Sequence, residues 1–585
     1  MARIAVIGAG MAALAAAARL ATGGHRVVVH ERAAGYGGGV GRLARDGFGF
    51  DTGPGLLLLP AVYRDLFVKT GRETLEHSVS LTQTDPASRH VFADGTAVAL
   101  PNASRSGVIE ALDGALGAGS GERWSEVMVR AREVWEATRR PLLEDALSDD
   151  TGPLGRDPYP LPARRGLLRR TAPPATLAGV AQRELRDPRL AALLESYPLG
   201  YGFDPRTVPA AAAVLPYVEQ TFGVWYVAGG IRALADAVYE RCLARKVEFR
   251  FGAEVTGVLD KDGRAAGVEL ADGSVFEADF VVAGAPLPPA VPSPDASSAA
   301  PPPGRFTVHL ALRGPRPANT VHRTVVHAAD RTADLAWTFQ DGPAANGAPG
   351  GGRRTGRTAN GGSRTGQSAI SGSPAARSAD SGRSTGRPAN DRARGGRSAA
   401  EPGTGLGPAN GGSRSGRSAD GAAPATGLGP AVGGPTVTVL RPDDPALRPD
   451  DAHEAVTLQA VVPPHAAGGG AGAVDWEAAG VAGGFADRVV AAALAAVPDL
   501  AERELWREVR TPADTERETG APGGSVPGPA LAGAAGALLR PANRAPLRGL
   551  YLVGGWAHPG GGLPHAGMSG AIVADLIAGG PGGSR

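Results

Sequence analysis

The opening of the chain constrains its fold more tightly than any other stretch. Ile4 to Ile7 is a short continuous apolar run, as a strand buried on both faces of a parallel sheet requires. It leads directly into Gly8-x-Gly10-x-x-Ala13, and the Ala-rich stretch from Met11 to Thr22 then reads as a helix. Gly23-Gly24 ends that helix, and His25 to His30 reads as a second strand that stops at Glu31. Gly8 permits the tight turn, Gly10 lets backbone approach a pyrophosphate, and the small Ala13 lets the helix close on the strand. The unpaired N–H groups where Met11 and Ala12 open the helix, together with the positive end of its macrodipole, stabilise the phosphate charge. Glu31 is spaced to accept hydrogen bonds from an adenosine ribose, and its charge disfavours a 2′-phosphate. The pattern predicts a dinucleotide-binding βαβ unit and makes NADP a poor resident nucleotide.

With 585 residues the chain allows about two to four units at roughly 150 residues each. Its net charge of +2 lacks the basic field of a nucleic-acid binder, so no nucleic-acid partner is expected. The single cysteine, Cys242, excludes an internal disulfide and a cysteine metal cluster, and no metal site is expected. Met1-Ala2-Arg3 runs straight into the first strand, so no export signal is read and a reducing cytoplasm is expected. Nowhere does an uncharged apolar run approach the ~18 residues that span a bilayer, so any membrane contact would be peripheral.

Residues 342–434 change character, being Gly, Ser, Arg, Ala, Pro and Asn with scarcely a large apolar side chain. Such a composition cannot bury enough surface to offset chain entropy, and disorder is expected. The stretch carries twelve arginines against Asp380, Asp391, Glu401 and Asp420, a net +8 that leaves −6 for the rest of the chain. It reads as a tolerated surface insertion, with attraction to anionic lipid headgroups as the alternative.

Three further motifs carry chemistry. Glu31-Arg32 is followed by Gly37-Gly38-Gly39-Val40-Gly41-Arg42 and by Asp46-Gly47-Phe48-Gly49-Phe50-Asp51-Thr52-Gly53-Pro54. The stretch Pro216 to Gly230 holds the aromatics Tyr217, Phe222, Trp225 and Tyr226. Near the end come Gly549-Leu550-Tyr551-Leu552-Val553-Gly554-Gly555-Trp556-Ala557-His558-Pro559 and Gly560-Gly561-Gly562-Leu563-Pro564. With these motifs the chain resembles the phytoene desaturase family of carotenoid-forming flavoenzymes, part of a larger superfamily of amine oxidases, retinol saturases and Rab GDP-dissociation inhibitors. The resemblance covers nearly the whole chain except the insertion.

The resemblance implies FAD and an α/β fold: a Rossmann-like FAD-binding domain, discontinuous in sequence, joined to a mixed α+β substrate domain. The implied FAD-binding parts are 1–100, 221–290 and 506–585. The substrate or cap parts are 101–220, 291–341 and 435–505. Implied cofactor-binding residues are Gly8, Gly10, Met11, Ala12, Ala13, Glu31, Arg32, Gly38, Gly39, Arg42, Gly53, Pro54, Val255, Gly554, Gly555, Leu563 and Pro564. In the family the Val255 position clamps the adenine through backbone hydrogen bonds, and the Gly554 segment brings backbone amides under the isoalloxazine. The chain departs from the family at Gly39, which stands where an Arg usually contacts the pyrophosphate, leaving Arg42 as the nearest substitute. It departs again at Gly284-Ala285-Pro286, in place of Asn-Ala-Asp, and at Gly55, in place of Thr.

The implied activity is FAD-dependent desaturation of a long apolar polyene such as phytoene, a hydride passing from an allylic carbon to flavin N5. Oxygen or a quinone would take the electrons, and the chain would work in the cytoplasm, peripheral to the inner face of the cell membrane. Tyr217, Phe222, Trp225 and Tyr226 read either as lining of a polyene tunnel or as ordinary core. No side chain announces a catalytic base; His309, His322, His327, His558 and His565 qualify by type, against structural roles for each. The rivals are a same-fold saturase, isomerase or amine oxidase, and a non-redox prenyl-lipid-binding protein.

Overall fold

The computed structural model describes residues 1–161, 175–286, 301–340, 434–470 and 472–579. Apart from Gly434, the segment read as an insertion lies outside the described residues. Strand β1 (Arg3–Ile7), helix α1 (Met11–Thr22) and strand β2 (Arg26–Glu31) form the expected opening unit. The two strands sit in a five-stranded parallel sheet ordered Glu248–Phe251, β2, β1, Phe280–Ala283, Leu550–Leu552. One sheet is therefore assembled from three distant stretches of sequence.

The apolar runs are continuous because both faces of this sheet are covered. Ile4, Val6, Val27, Val29 and Val282 pack under α1 and the helices Ile231–Ala244 and Leu563–Ala578. Ala5, Ile7, Val28, Val281 and Ala283 face the other way, against an antiparallel meander of Val255–Lys261, Arg264–Leu270 and Val275–Glu277. Burying each such Val contributes roughly 1.5–3 kcal/mol.

The alanines of α1 have a packing reason. Ala13 through Ala18 are fully buried, and the closing helix Leu563–Ala578 crosses α1 backbone to backbone at Gly570. A Cβ on Gly570 would stand 2.7 Å from the Ala16 nitrogen and 2.8 Å from the Ala12 oxygen. Cys242 lies in the helix Ile231–Ala244, buried, with its thiol donating to the Leu14 carbonyl at 3.3 Å. Burial raises that thiol's pKa, which is the behaviour of a small core side chain and not of a nucleophile.

A second, seven-stranded sheet is ordered Glu504–Arg510, Gly304–Arg313, His453–Val462, Val437–Leu440, Arg323–Val326, Ser88–Val91, Ala97–Leu100. All its pairs are antiparallel except Arg323–Val326 with Ser88–Val91. Ser88–Val91 and Ala97–Leu100 thus differ from the boundary at residue 100 expected from the sequence, since they extend this sheet and not the parallel one. The reason is pairing: Arg89, His90 and Val91 find their ladder partners in Thr324, Val325 and Val326. Glu504–Arg510 likewise pairs with Gly304–Arg313, across the boundary expected at 506. A helical layer including Arg105–Leu116, Ser120–Arg139, Pro188–Gly200 and Val214–Phe222 has its own core around Leu112, Trp124 and Leu193.

Candidate functional site

The C-terminal edge of the parallel sheet is where an open α/β fold binds ligands, and most of the residues singled out above meet there. Gly8 turns the chain with φ +84°, its N–H donating to the His30 carbonyl at 2.8 Å. A Cβ on Gly10 would meet nothing within 4 Å, so the corner is open. Gly10 caps α1 without a side-chain hydrogen bond, and the first turn carries no acid. The N–H groups of Met11, Ala12 and Ala13 therefore face that opening with the helix dipole behind them.

Three other segments close around the corner. Gly37 donates to the Ala9 carbonyl at 2.8 Å, and Gly38 packs so tightly that its Cβ would stand 3.1 Å from the Gly10 Cα. Gly39 is exposed with open space around it, while a Cβ on Gly53 would come within 2.3 Å of the Gly39 oxygen. Pro54 follows in the same turn, and Gln459 of the seven-stranded sheet donates to the Gly53 carbonyl at 3.4 Å. From the far end of the chain, Gly554 (φ +100°) brings its backbone over Ala12, and its N–H donates to Ser569 Oγ at 3.1 Å. Gly555 packs against Pro527, and Leu563 and Pro564 open the closing helix, capped by Gly562 with neither a side-chain bond nor an acid.

Glu31 forms the lip of the corner. Its two oxygens accept from the Ala9 N–H at 2.6 Å and the Ala33 N–H at 2.8 Å, leaving lone pairs for ribose hydroxyls. The crossing from Glu248–Phe251 to Val255 is stitched to the same place, Ala253 donating to the Glu31 carbonyl and Gly252 to the Ala33 carbonyl. Val255 therefore begins its strand beside the Glu31 end of the groove. This geometry fits an adenine dinucleotide: an uncapped helix end for the diphosphate, an acid for the ribose and a cleared surface of glycines between them.

Two arginines are elsewhere. Arg42 lies across Gly49 on the neighbouring strand and donates to the Ala446 carbonyl at 2.9 Å, so it does not stand in for the Arg absent at Gly39. The antiparallel pairing of Arg42–Arg45 with Phe48–Asp51 sends the side chain away from the glycine turn. Arg32 is exposed and donates to the Arg517 carbonyl at 3.0 Å, tying the lip to the returning helix Pro512–Thr519.

Beside the corner runs a small, largely apolar cleft, walled by residues such as Leu58, Trp135, Leu142, Val218 and Leu531. It reaches Pro564 and His565 in the first turn of the closing helix. The four aromatics considered for a tunnel do not line it. Tyr217 packs on the helical core, Phe222 lies against Trp135 with ring centroids 5.6 Å apart, Trp225 donates to the Phe222 carbonyl and Tyr226 donates to Asp444 at 2.7 Å. The cleft's own residues escaped sequence reading, although Val134, Trp135, Thr138, Arg139 and Leu142 share helical spacing on one face.

Of the five histidines, His565 alone lines the cleft among the described residues. Burial, reinforced by nearby arginines, pushes His309, His322 and His327 down to about 3. His327 is paired with His90 at 3.1 Å in the seven-stranded sheet, and His309 meets Thr457. His558 is buried against the Asp145 carbonyl. Asp51 caps the helix Ile231–Ala244, accepting from the Ile231 N–H at 2.8 Å and the Arg232 N–H at 3.1 Å. Burial pushes its carboxyl up to about 6, and the neighbouring Asp444 adds to the rise while those hydrogen bonds and Arg42 oppose it.

A nucleotide corner on a parallel sheet, closed by the chain's own distal glycines and flanked by a mixed sheet with an apolar cleft, defines a class of two-part dinucleotide-binding proteins. The family model for flavin containing amine oxidoreductases matches residues 11–334, over half of the sequence, and the chain belongs to that family. FAD is its cofactor. A 4,4'-diapolycopene oxygenase of Methylomonas is 32% identical over 49% of this chain and 56% of its own length. A zeta-carotene-forming phytoene desaturase of Myxococcus xanthus is 32% identical over 49% and 54%. The chain thus spans about half the length of the curated relatives it matches. Among solved structures, an oxidoreductase from Methanosarcina mazei shares the fold with TM-score 0.55, at 14% identity over 98% of this chain and 100% of that one. Putrescine oxidase bound to putrescine also shares it, with TM-score 0.55 at 12% identity over 99% of each.

Proposed function

We propose that this chain desaturates a long apolar polyene, phytoene or a related carotenoid precursor. The observation that carries the reading is the apolar cleft ending at the first turn of the closing helix, the same helix whose glycine-rich approach lies over α1. The names of the relatives, a diapolycopene oxygenase and a phytoene desaturase, point to the same substrate class.

The chain's own residues would hold the cofactor, with main-chain N–H groups of Met11 to Ala13 for the diphosphate, Glu31 for the ribose, and backbone of the Gly554 to Pro564 segment for the flavin. Bound FAD supplies a two-electron acceptor for the hydride that leaves an allylic carbon. The walls at Leu58, Trp135, Leu142 and Leu531 exclude water and align the substrate chain, a contribution of positioning. A proton leaves the neighbouring carbon, and oxygen or a quinone takes the electrons. Substrate insolubility favours a cytoplasmic chain in peripheral contact with the inner face of the cell membrane.

Expression in a phytoene-accumulating host tests the proposal. Pigment analysis is expected to show phytoene falling and more unsaturated polyenes rising. Unchanged phytoene beside flavin-loaded protein contradicts it, and peroxide released on amines would assign the site to an amine oxidase instead.

A further inference from the structure

The five-stranded parallel sheet ends at the strand Glu248–Phe251, which pairs with β2 on one side and with no strand on the other among the described residues. Such an edge offers a row of N–H and C=O groups to any strand that can approach it, and sheets commonly guard it with a bulge, a proline or a covering loop. Glu248–Phe251 follows β2 in unbroken register and contains no proline.

Alternation gives the strand two unlike faces. Glu248 and Arg250 share one, where Arg250 donates to Glu248 at 2.9 Å and lies over the Phe276 ring at 5.1 Å. Phe249 and Phe251 share the other, their rings stacked with centroids 5.8 Å apart. Tyr239 of the helix Ile231–Ala244 meets Phe249 at 4.8 Å and stacks on Tyr36 at 3.8 Å, which extends the pair into a patch of four aromatic rings. Phe251 is exposed and the other three are half-buried. Leu243, one helical turn beyond Tyr239, is exposed as well. A contiguous apolar patch on a protein surface marks an interaction site, and this one lies along an open strand edge.

The strand itself selects its partner. In an antiparallel pair, directly opposite residues point to the same face. If a second copy enters about a two-fold axis at Phe249, Glu248 of each copy stands opposite Arg250 of the other, and Phe249 stands opposite Phe249. Moving the axis by one residue in either direction sets Glu248 against Glu248 or Arg250 against Arg250, and like charges directly opposite are destabilising. The stretch Glu248-Phe249-Arg250 is therefore complementary to itself in one register.

We propose that the chain forms a two-fold symmetric dimer in which the Glu248–Phe251 strands of two copies pair antiparallel and join the two parallel sheets into one. Each copy presents the same patch that it receives, as a two-fold interface requires. The aromatic patches meet on one face of the joined sheet, and two Glu248–Arg250 pairs cross the axis on the other. The dimer does not depend on which substrate the cleft takes.

Sedimentation velocity of the full, flavin-loaded chain over a dilution series tests the proposal. The unaltered chain is expected to run at twice the mass of one chain and to dissociate on dilution. Arg250→Glu leaves only carboxylates at the two facing positions, and Glu248→Arg leaves only guanidinium groups. Each is expected to raise the dimer dissociation constant at least about tenfold, with flavin absorption retained. Mixing the two variants in equal amounts is expected to restore dimers, because opposite charges again meet at both positions, a recovery that a damaged fold cannot give. The exchange of both charges in one chain, Glu248→Arg with Arg250→Glu, is expected to dimerise by itself. An unaltered chain that stays monomeric at every concentration overturns the dimer. Single variants that dimerise as the unaltered chain does, or a mixture and a double variant that both stay monomeric, overturn the strand pairing.

Discussion

At the nucleotide corner the groups that face a ligand, the Glu31 carboxylate apart, belong to the main chain, whereas the neighbouring cleft presents side chains drawn from several helices and loops. The corner works by what is missing. Gly10 leaves its surface open, Gly53 leaves room for the Gly39 oxygen, and Gly570 lets the closing helix touch α1. The cleft works by what fills it, and exchanging Leu142 for another large apolar residue would change its shape but not its character. Binding of the nucleotide should therefore be brittle toward added atoms, and binding of the substrate should respond gradually to lost ones.

The largest expected effect is at Gly570. Gly570→Leu wedges the two helices apart and is expected to cost about 3 kcal/mol through overpacking, with flavin lost at the same time. A denaturant titration followed by flavin absorption reads both, and retention of flavin would break the claim that the crossing builds the corner. Next comes Glu31→Ala, which removes the ribose acceptor and strands the Ala9 and Ala33 N–H groups. A loss of about 2 kcal/mol, roughly 30-fold in FAD affinity, is expected by equilibrium dialysis. Arg42→Ala is expected to leave FAD affinity within about twofold, and a large loss would return Arg42 to the diphosphate. In the cleft, Val218→Ala is expected to weaken polyene binding by about 1 kcal/mol, roughly fivefold, with flavin content unchanged.

A further effect concerns pH. Asp51 holds its proton more strongly in the folded chain, with a pKa near 6, than an unfolded aspartate does. Its contribution to stability is therefore fully present at pH values below its unfolded pKa and is lost as pH rises through about 6. Asp51→Asn keeps an acceptor for the Ile231 N–H and is expected to flatten stability against pH over that window in thermal melts. An unaltered slope would show that another group carries it.

The same contrast explains what the sequence made legible. Gly8, Gly10, Ala13 and Glu31 stand within one βαβ unit, where spacing along the chain is spacing in space, so the corner could be read directly. The return of Gly554 and Leu563 to that corner was legible as a resemblance, because no local pattern says which distant glycines a turn will meet. Arg42 was misplaced because the tight Arg42–Asp51 hairpin reverses the chain before a side chain can point back. Of the two readings left open for Tyr217, Phe222, Trp225 and Tyr226, packing within the fold is the one the structure supports, and residue type alone could not choose because the Tyr226 hydroxyl finds its partner in the distant Asp444. The sheet that Ser88 to Leu100 joins was not legible, because strand partners far apart in sequence leave no periodic signal.

The account stands on main-chain groups of the opening turn holding an adenine dinucleotide, and identifying the nucleotide that the purified chain carries tests it most directly. Heat release followed by chromatography is expected to yield FAD from a yellow protein with flavin absorption. A folded, colourless chain that takes up no FAD on reconstitution would contradict it.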